Sequence, residues 1–339
     1  MKKLLFLVLI SIMSANSLVA QVSITPVHSF ATRTVVASGH CGAQGDNLTW
    51  TLTSDSVLTI SGSGNMMDYV FFSDFAPWFS RESAIRTIVI ENGVTSIGNA
   101  AFGHLSRLNS VTIPNSVTSI GDLAFAHSRR LNSVVIPESV TAIGNFAFGG
   151  CRALTSIEVD IDNQYFSSEN GVLFDKSKTT LIQYPPSKSD TIYVIPNGVT
   201  TIGNEAFFQS RNLISVIIPE SVTNIENSAF SGCSGLTSII IPNSVVTIGN
   251  QAFFGCSGLV SATIGNSVAS IGERAFANCR NLISITSYVL TPPNLGDANV
   301  FIGVNMRSCV LRVPEKSIEL YQQARGWQNF QTITATTSH

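Results

Sequence analysis

The chain has 339 residues, with 19 Lys and Arg against 21 Asp and Glu, a formal net charge of −2 and only 12% charged residues, about half the fraction usual for a soluble domain. Nucleic-acid binding needs a concentrated basic face, which this composition excludes. The surface must be built largely from Ser, Thr, Asn and Gly. In chain order, Lys2 and Lys3 precede an apolar run from Leu4 to Met13 and then small residues up to Ala20. That is the form of a secretory signal peptide over residues 1–20, with cleavage after Ser17 or Ala20. The apolar run is too short to span a bilayer. No Cys follows the site, so a lipoprotein anchor is not expected; no later span and no C-terminal sorting motif is expected either.

Residues 21–36 read as a linker and 37–88 as a β-rich N-terminal cap. Within the cap, Asn47–Leu52 and Val57–Gly62 form two expected strands joined by Ser54 and Asp55. Trp50 and Trp78 are expected in the cap's core. From residue 89 to 287 the chain repeats with a period of 23. Phe102, Phe125, Phe148, Phe207, Phe230, Phe253 and Phe276 share one column, each preceded by Ala. Further columns pass through Ile97, Ile120 and Ile143, through Leu108, Leu131 and Leu154, and through Val94, Val117 and Val140. A fixed period of 20 to 29 with recurrent aliphatic positions marks a leucine-rich-repeat solenoid, in which stacked turns bury each column as a ladder. Stretches such as Leu131–Ile136 alternate with period two and read as strands, stacked in parallel into a sheet along one side. Pro114, Pro137, Pro196, Pro219 and Pro242 follow them and, lacking an amide hydrogen, mark where pairing stops. Asn145–Gly149 suits a short helical or irregular return.

The run IPxSVTxIGxxAFxxCxxLxSV resembles the BspA-like (type 5) leucine-rich-repeat family of bacterial surface proteins, over roughly residues 90 to 286. It departs from the general leucine-rich-repeat pattern after Leu108, Val111 and Ile113, where Ser116 takes the expected ladder position, so the asparagine ladder of that pattern is not carried over. Between Val159 and Ile195 the spacing lengthens from 23 residues to 36. The excess, about 160–190, reads as a hairpin of Gly171–Phe174 and Thr180–Tyr184 closed by Pro185 and Pro186, a spacer of a kind the family carries. Residues 288–332 read as a short C-terminal cap, with a strand at Val310–Val313 and a helix between Ile318 and Trp327, and 333–339 as a flexible tail.

Cys151, Cys233, Cys256 and Cys279 occupy a column that holds Ser128 and Ser210 in other turns. That position wants a small buried side chain, and stacked turns hold its side chains parallel rather than converging, so all six cysteines are expected as free thiols. His104 and His127 share a position with Gly150, Gly232 and Gly255 and read as turn residues; His28, His40 and His339 fall in no metal or nucleophile spacing. No metal, cofactor or catalytic residue is expected, and the chain does not read as an enzyme. Strand alternation places Thr112, Val135, Glu158, Val194, Ile217, Ile240 and Thr263 on the outer face of the sheet, flanked by Ser110, Ser133, Ser156, Ser215, Ser238 and Ser261. These seven are the candidate partner-binding residues, with Val194, Ile217 and Ile240 an apolar stripe. The family resemblance implies an adhesin that meets host matrix proteins or other bacterial surfaces. Two other readings remain open: a glycan-binding surface protein, for which exposed aromatics in a groove are expected, and a hydrolase sited in the insertion or the N-terminal cap.

Overall fold

A computed structural model describes residues 33–336. The signal peptide, nearly all of the linker, His28 and His339 lie outside the described residues. The first element of the described residues is an antiparallel meander of β1 (Val35–Gly42), β2 (Gly45–Thr53) and β3 (Val57–Gly62). β1 was not foreseen: it begins inside the stretch read as linker, because its backbone completes the open edge of β2. β3 then pairs in parallel with Thr87–Ile90, register Leu58 to Ile88, so the meander joins the first solenoid strand directly. Trp50 and Trp78 are both buried, with ring centroids 6.0 Å apart and edge to face. Trp78 also stacks on Phe102 at 5.4 Å and donates its Nε1–H to the Ala101 carbonyl at 3.0 Å. A cap residue is thus the first rung of the aromatic ladder.

Beyond it the chain is a β-solenoid of about 11 turns of about 23 residues. The single expected sheet is in fact two. The longer strands, such as Ser133–Ile136 and Ser238–Ile241, line one side. A second parallel ladder of two-residue strands runs through the isoleucine column, pairing Ile97 to Ile120 and Ile202 to Ile225 to Ile248 to Ile271. The glycine after that isoleucine permits the approach: a Cβ on Gly144 would lie 2.4 Å from the Asp122 amide nitrogen of the preceding turn. The return is irregular, not helical, and each turn spends two residues in the left-handed region. One column runs Ala100, Leu123, Phe146, Glu205, Ser228, Gln251, Arg274; the other includes His104, His127, Gly150, Gln209, Gly232 and Gly255. The second explains why glycine recurs there, since it alone adopts positive φ without steric cost.

Inside, the columns become ladders. Phe207, Phe230, Phe253 and Phe276 are fully buried and stack with centroids 4.8 to 5.1 Å apart. Each such burial is worth roughly 1.5–3 kcal/mol. Three residues beyond each Phe, Cys233, Cys256 and Cys279 direct Sγ at the carbonyl of the preceding turn's Phe, at 3.0 to 3.1 Å, and Ser128 Oγ does the same to Phe102 at 2.9 Å. The position therefore takes a small side chain that can donate, as these Cys and Ser128 do, although the Ser210 hydroxyl, next to the insertion turn, has no partner. All six cysteines are free and buried, and burial pushes the Cys233 thiol up to about 12, far from its reactive thiolate form. Ser116, Ser139, Ser221 and Ser244 donate to Val94, Val117, Val199 and Val222 carbonyls at 2.6 to 2.7 Å. Serine thus occupies the ladder position that the general repeat gives to asparagine.

The insertion folds into the second sheet. Phe166–Glu169, Val172–Asp175 and Thr180–Gln183 pair antiparallel, and Leu181 then registers with Ile202 as a regular rung. Tyr184 takes the Phe position, buried and stacked on Phe207 at 5.2 Å. At the C-terminal end the repeat continues further than its sequence pattern. Phe301 stacks on Phe276 at 5.9 Å and Trp327 packs on Phe301 at 5.2 Å. Val310–Val313 is followed by a helix, α1 (Ile318–Gln323), shorter than the span read for it. The stretch read as tail contains a strand, Thr332–Ala335, paired in parallel with Val310–Val313 because that strand would otherwise be an open edge.

Candidate functional site

The strand side carries the seven residues singled out by alternation. Thr112, Val135, Glu158, Val194, Ile217 and Ile240 are exposed and Thr263 is half-buried. The intervening residues Val134, Ile157, Val216, Ile239 and Ala262 face the core. Val194 and Ile217 are direct partners across a strand pair, and Ile240 follows one turn on. At 59%, 51% and 67% exposure they form a wet apolar stripe, with Ser215, Ser238 and Ser261 half-buried beside them. The side is not one continuous sheet. Strand pairing lapses between Ser156–Val159 and Ile192–Val194, and also between Ser110–Thr112 and Ser133–Ile136 and between Ser215–Ile217 and Ser238–Ile241. The insertion accounts for the first gap: Ile157 N–H bonds the Gly171 carbonyl, and Val159 N–H the Ser168 hydroxyl, in place of a following strand.

A second feature lies on the return side and was not read from the sequence. In regular turns, return loops are joined by backbone bonds: Leu123 N–H to Asn145 O, Phe125 N–H to Ala147 O and His127 N–H to Gly149 O, at 2.7 to 2.9 Å. A side-chain ladder runs beside them, as where the Asp122 carboxylate accepts from Asn145 N–H at 2.6 Å and Asn227 Oδ1 from Asn250 N–H at 2.8 Å. The insertion turn spends most of its residues on the hairpin and keeps only a short return segment at Tyr184, which bonds forward to Ala206 O but not back to the preceding loop, so neither series continues from residues 144–150. A cleft of about 680 Å³ opens there, lined by Phe72, Asp122, His127, Asn145, Phe146, Glu205 and Asn227 among others.

Aromatic rings follow one edge of this cleft. Phe71 stacks on His104 at 4.3 Å, His104 on His127 at 5.1 Å, His127 meets Phe146 edge-on at 5.8 Å, and Phe146 meets Phe208 at 4.9 Å. Phe72 is 78% exposed. His104 and His127 are thus turn residues, as read, but they also join the cap to the cleft. Burial holds both imidazoles below their usual pKa, and Arg129 pushes in the same direction. Glu205 is half-buried, its enclosed Oε2 has no hydrogen-bond partner, and burial lifts its carboxyl to about 7. The available signal was positional: Phe146 and Glu205 occupy a variable column on either side of the broken period. Among the described residues, no group of three or more His, Cys, Asp or Glu could hold a metal, and no helix is long and apolar enough to cross a membrane.

Parallel ladders, an aromatic spine and an exposed strand side define a leucine-rich-repeat β-solenoid. Residues 77–193 and 187–291 match the BspA type leucine rich repeat region, in six copies, and the chain belongs to that family. It is similar to a leucine-rich repeat protein of Eubacterium ventriosum, with 26% identity, a TM-score of 0.51, and coverage of 79% of this chain and 95% of the other. It is also similar in fold to the pneumococcal vaccine antigen PcpA, at 18% identity and a TM-score of 0.57, over 86% of this chain and 98% of that one. No curated protein matches it.

Proposed function

We propose that the protein is an exported, surface-displayed adhesin that binds a protein partner through the strand side around Val194, Ile217 and Ile240. The partner class is a host matrix protein or a protein of another bacterial surface. The observation that carries this reading is the exposed apolar stripe on an otherwise hydroxyl-rich side, where desolvation most favours association. Membership in the BspA-type family supports a binding scaffold rather than a catalyst. A repeat fold sets the shape of a platform and not its ligand, so the stripe rather than the fold names the site.

The test is the double variant Ile217→Asp, Ile240→Asp. Both side chains point outward, so the fold should persist by circular dichroism. Capture of purified matrix proteins or bacterial envelope proteins by the wild type should be lost, because a carboxylate buried unpaired at an interface is costly. Undiminished capture by the folded double variant would refute the strand-side site.

A further inference from the structure

The cleft on the return side is separate from the strand stripe and has its own chemistry. We propose that the cleft between return loops 144–150 and 203–209 binds a neutral oligosaccharide, held against Phe72 and Phe146 and by the oxygens of Glu205 and Asn145.

Its origin is built into the chain rather than accidental. One turn shortens its return loop to make the 160–190 hairpin: loop 203–209 keeps the Tyr184 N–H to Ala206 O bond from it, and loop 144–150 is left without the following neighbour. Phe146 N–H, whose counterpart Leu123 donates to the next turn, is joined to no following loop. Asn145 stands where Asn99, Asp122, Asn204 and Asn227 each accept a backbone N–H from the next turn, and it accepts none. Glu205 Oε2, on the opposite loop, is buried with no partner. Unpaired groups of this kind cost free energy until a ligand supplies their partners. The cleft thus presents a donor and an amide that the fold itself leaves unsatisfied, beside a carboxyl whose enclosed oxygen has no partner.

The ligand class follows from what accompanies them. A pyranose ring has an apolar C–H face and a rim of hydroxyls. The Phe72 and Phe146 rings suit the face; Glu205, Asn145 and the free Phe146 N–H suit the rim, since a hydroxyl both donates and accepts. A volume of about 680 Å³ falls within the roughly 300–1,000 Å³ of small-molecule sites. The lining contains two carboxyls, Asp122 and Glu205, and no Lys or Arg, which disfavours an acidic sugar. Arg129 and Arg152 lie close to His127 at the edge, which disfavours a cation.

The experiment is a glycan array carrying neutral mannose, glucose, galactose and N-acetylhexosamine oligosaccharides, with sulfated and sialylated ones on the same slide. The wild type should be retained on neutral spots. Phe72→Ala, Phe146→Ala and Glu205→Ala should each reduce that signal at least ten-fold, whereas the Ile217→Asp, Ile240→Asp variant should keep it. Phe72 is exposed, so its truncation leaves the fold intact and keeps the test valid should Phe146→Ala prove unstable. The assignment is overturned if no neutral spot is bound, if only acidic glycans are retained, if Phe72→Ala binds like the wild type, or if the strand-side variant loses the signal. The last two outcomes would move sugar binding elsewhere without touching the protein-binding proposal.

Discussion

Glu205 is where a single side chain is most at odds with its surroundings. Its φ of 59° places a bulky residue in the left-handed region, its N–H is anchored to Asn227 O at 3.0 Å, and its carboxyl is driven into the cleft wall. Burial lifts its pKa from 4.5 to about 7. The folded state therefore holds a proton between these values that the unfolded state has lost. Stability from this group is fully present below pH 4.5 and is lost as pH rises through 7. Glu205→Gln removes the effect. Its thermal midpoint should equal that of the wild type near pH 4 and exceed it increasingly up to pH 7. Beyond that the advantage should stay constant at about 1–2 kcal/mol, allowing for partial solvent screening. Parallel curves for the two proteins across that range, by differential scanning fluorimetry, would show that the carboxyl is not desolvated.

At the scale of the element, the turn is held by several ladders at once. Phe230 stacks on Phe207 at 4.8 Å and Phe253 at 5.1 Å, parallel to within 6° and 3°. Its carbonyl accepts from Cys256 Sγ, and its N–H donates to Ala252 O at 2.7 Å. Phe230→Ala removes the ring but none of these main-chain bonds, so it should cost about 3–5 kcal/mol without changing the register. Because each turn contacts only its neighbours, lost hydrogen-exchange protection should centre on residues 205–256 and leave 87–136 unchanged. Uniform loss along the chain, or none, would contradict a nearest-neighbour ladder.

For the whole molecule, the insertion is a seam. The buried side chains form two clusters, one from Cys41 to Leu173 and the other from Val172 to Phe330, meeting at the hairpin. The return-loop bonds and the aromatic stack both lapse between Phe148 and Tyr184, while Ser187 N–H to Leu154 O ties the sides together. Coupling across the seam should be weaker than within either side, giving two cooperative units. Hydrogen exchange in rising denaturant should resolve two opening transitions with a boundary in 160–190. The C-terminal unit, with its tighter Phe stack, should persist longer. A single transition shared by all slow amides would refute the division.

Periodicity alone determined the solenoid, the buried columns, the outward phase of Ile217 and Ile240 and the small buried position of the cysteines; that this position also donates to the preceding turn came from the structure. Each of these is a local property repeated many times, so the 23-residue register carries it. Tertiary structure decided what depends on the next turn. The second sheet exists because Gly144 and its counterparts let backbones approach, which shows only when turns are stacked. Tyr184, Trp78, Phe301 and Trp327 are rungs of the aromatic ladder that break the sequence pattern but fill the same volume. The cleft arises where one turn shortens its return loop and no longer meets the loop before it. Phe72, Phe146 and Glu205 lie far apart in the chain and in unlike contexts, so no spacing rule links them, and only the stacking of the turns either side of the hairpin sets them around one opening.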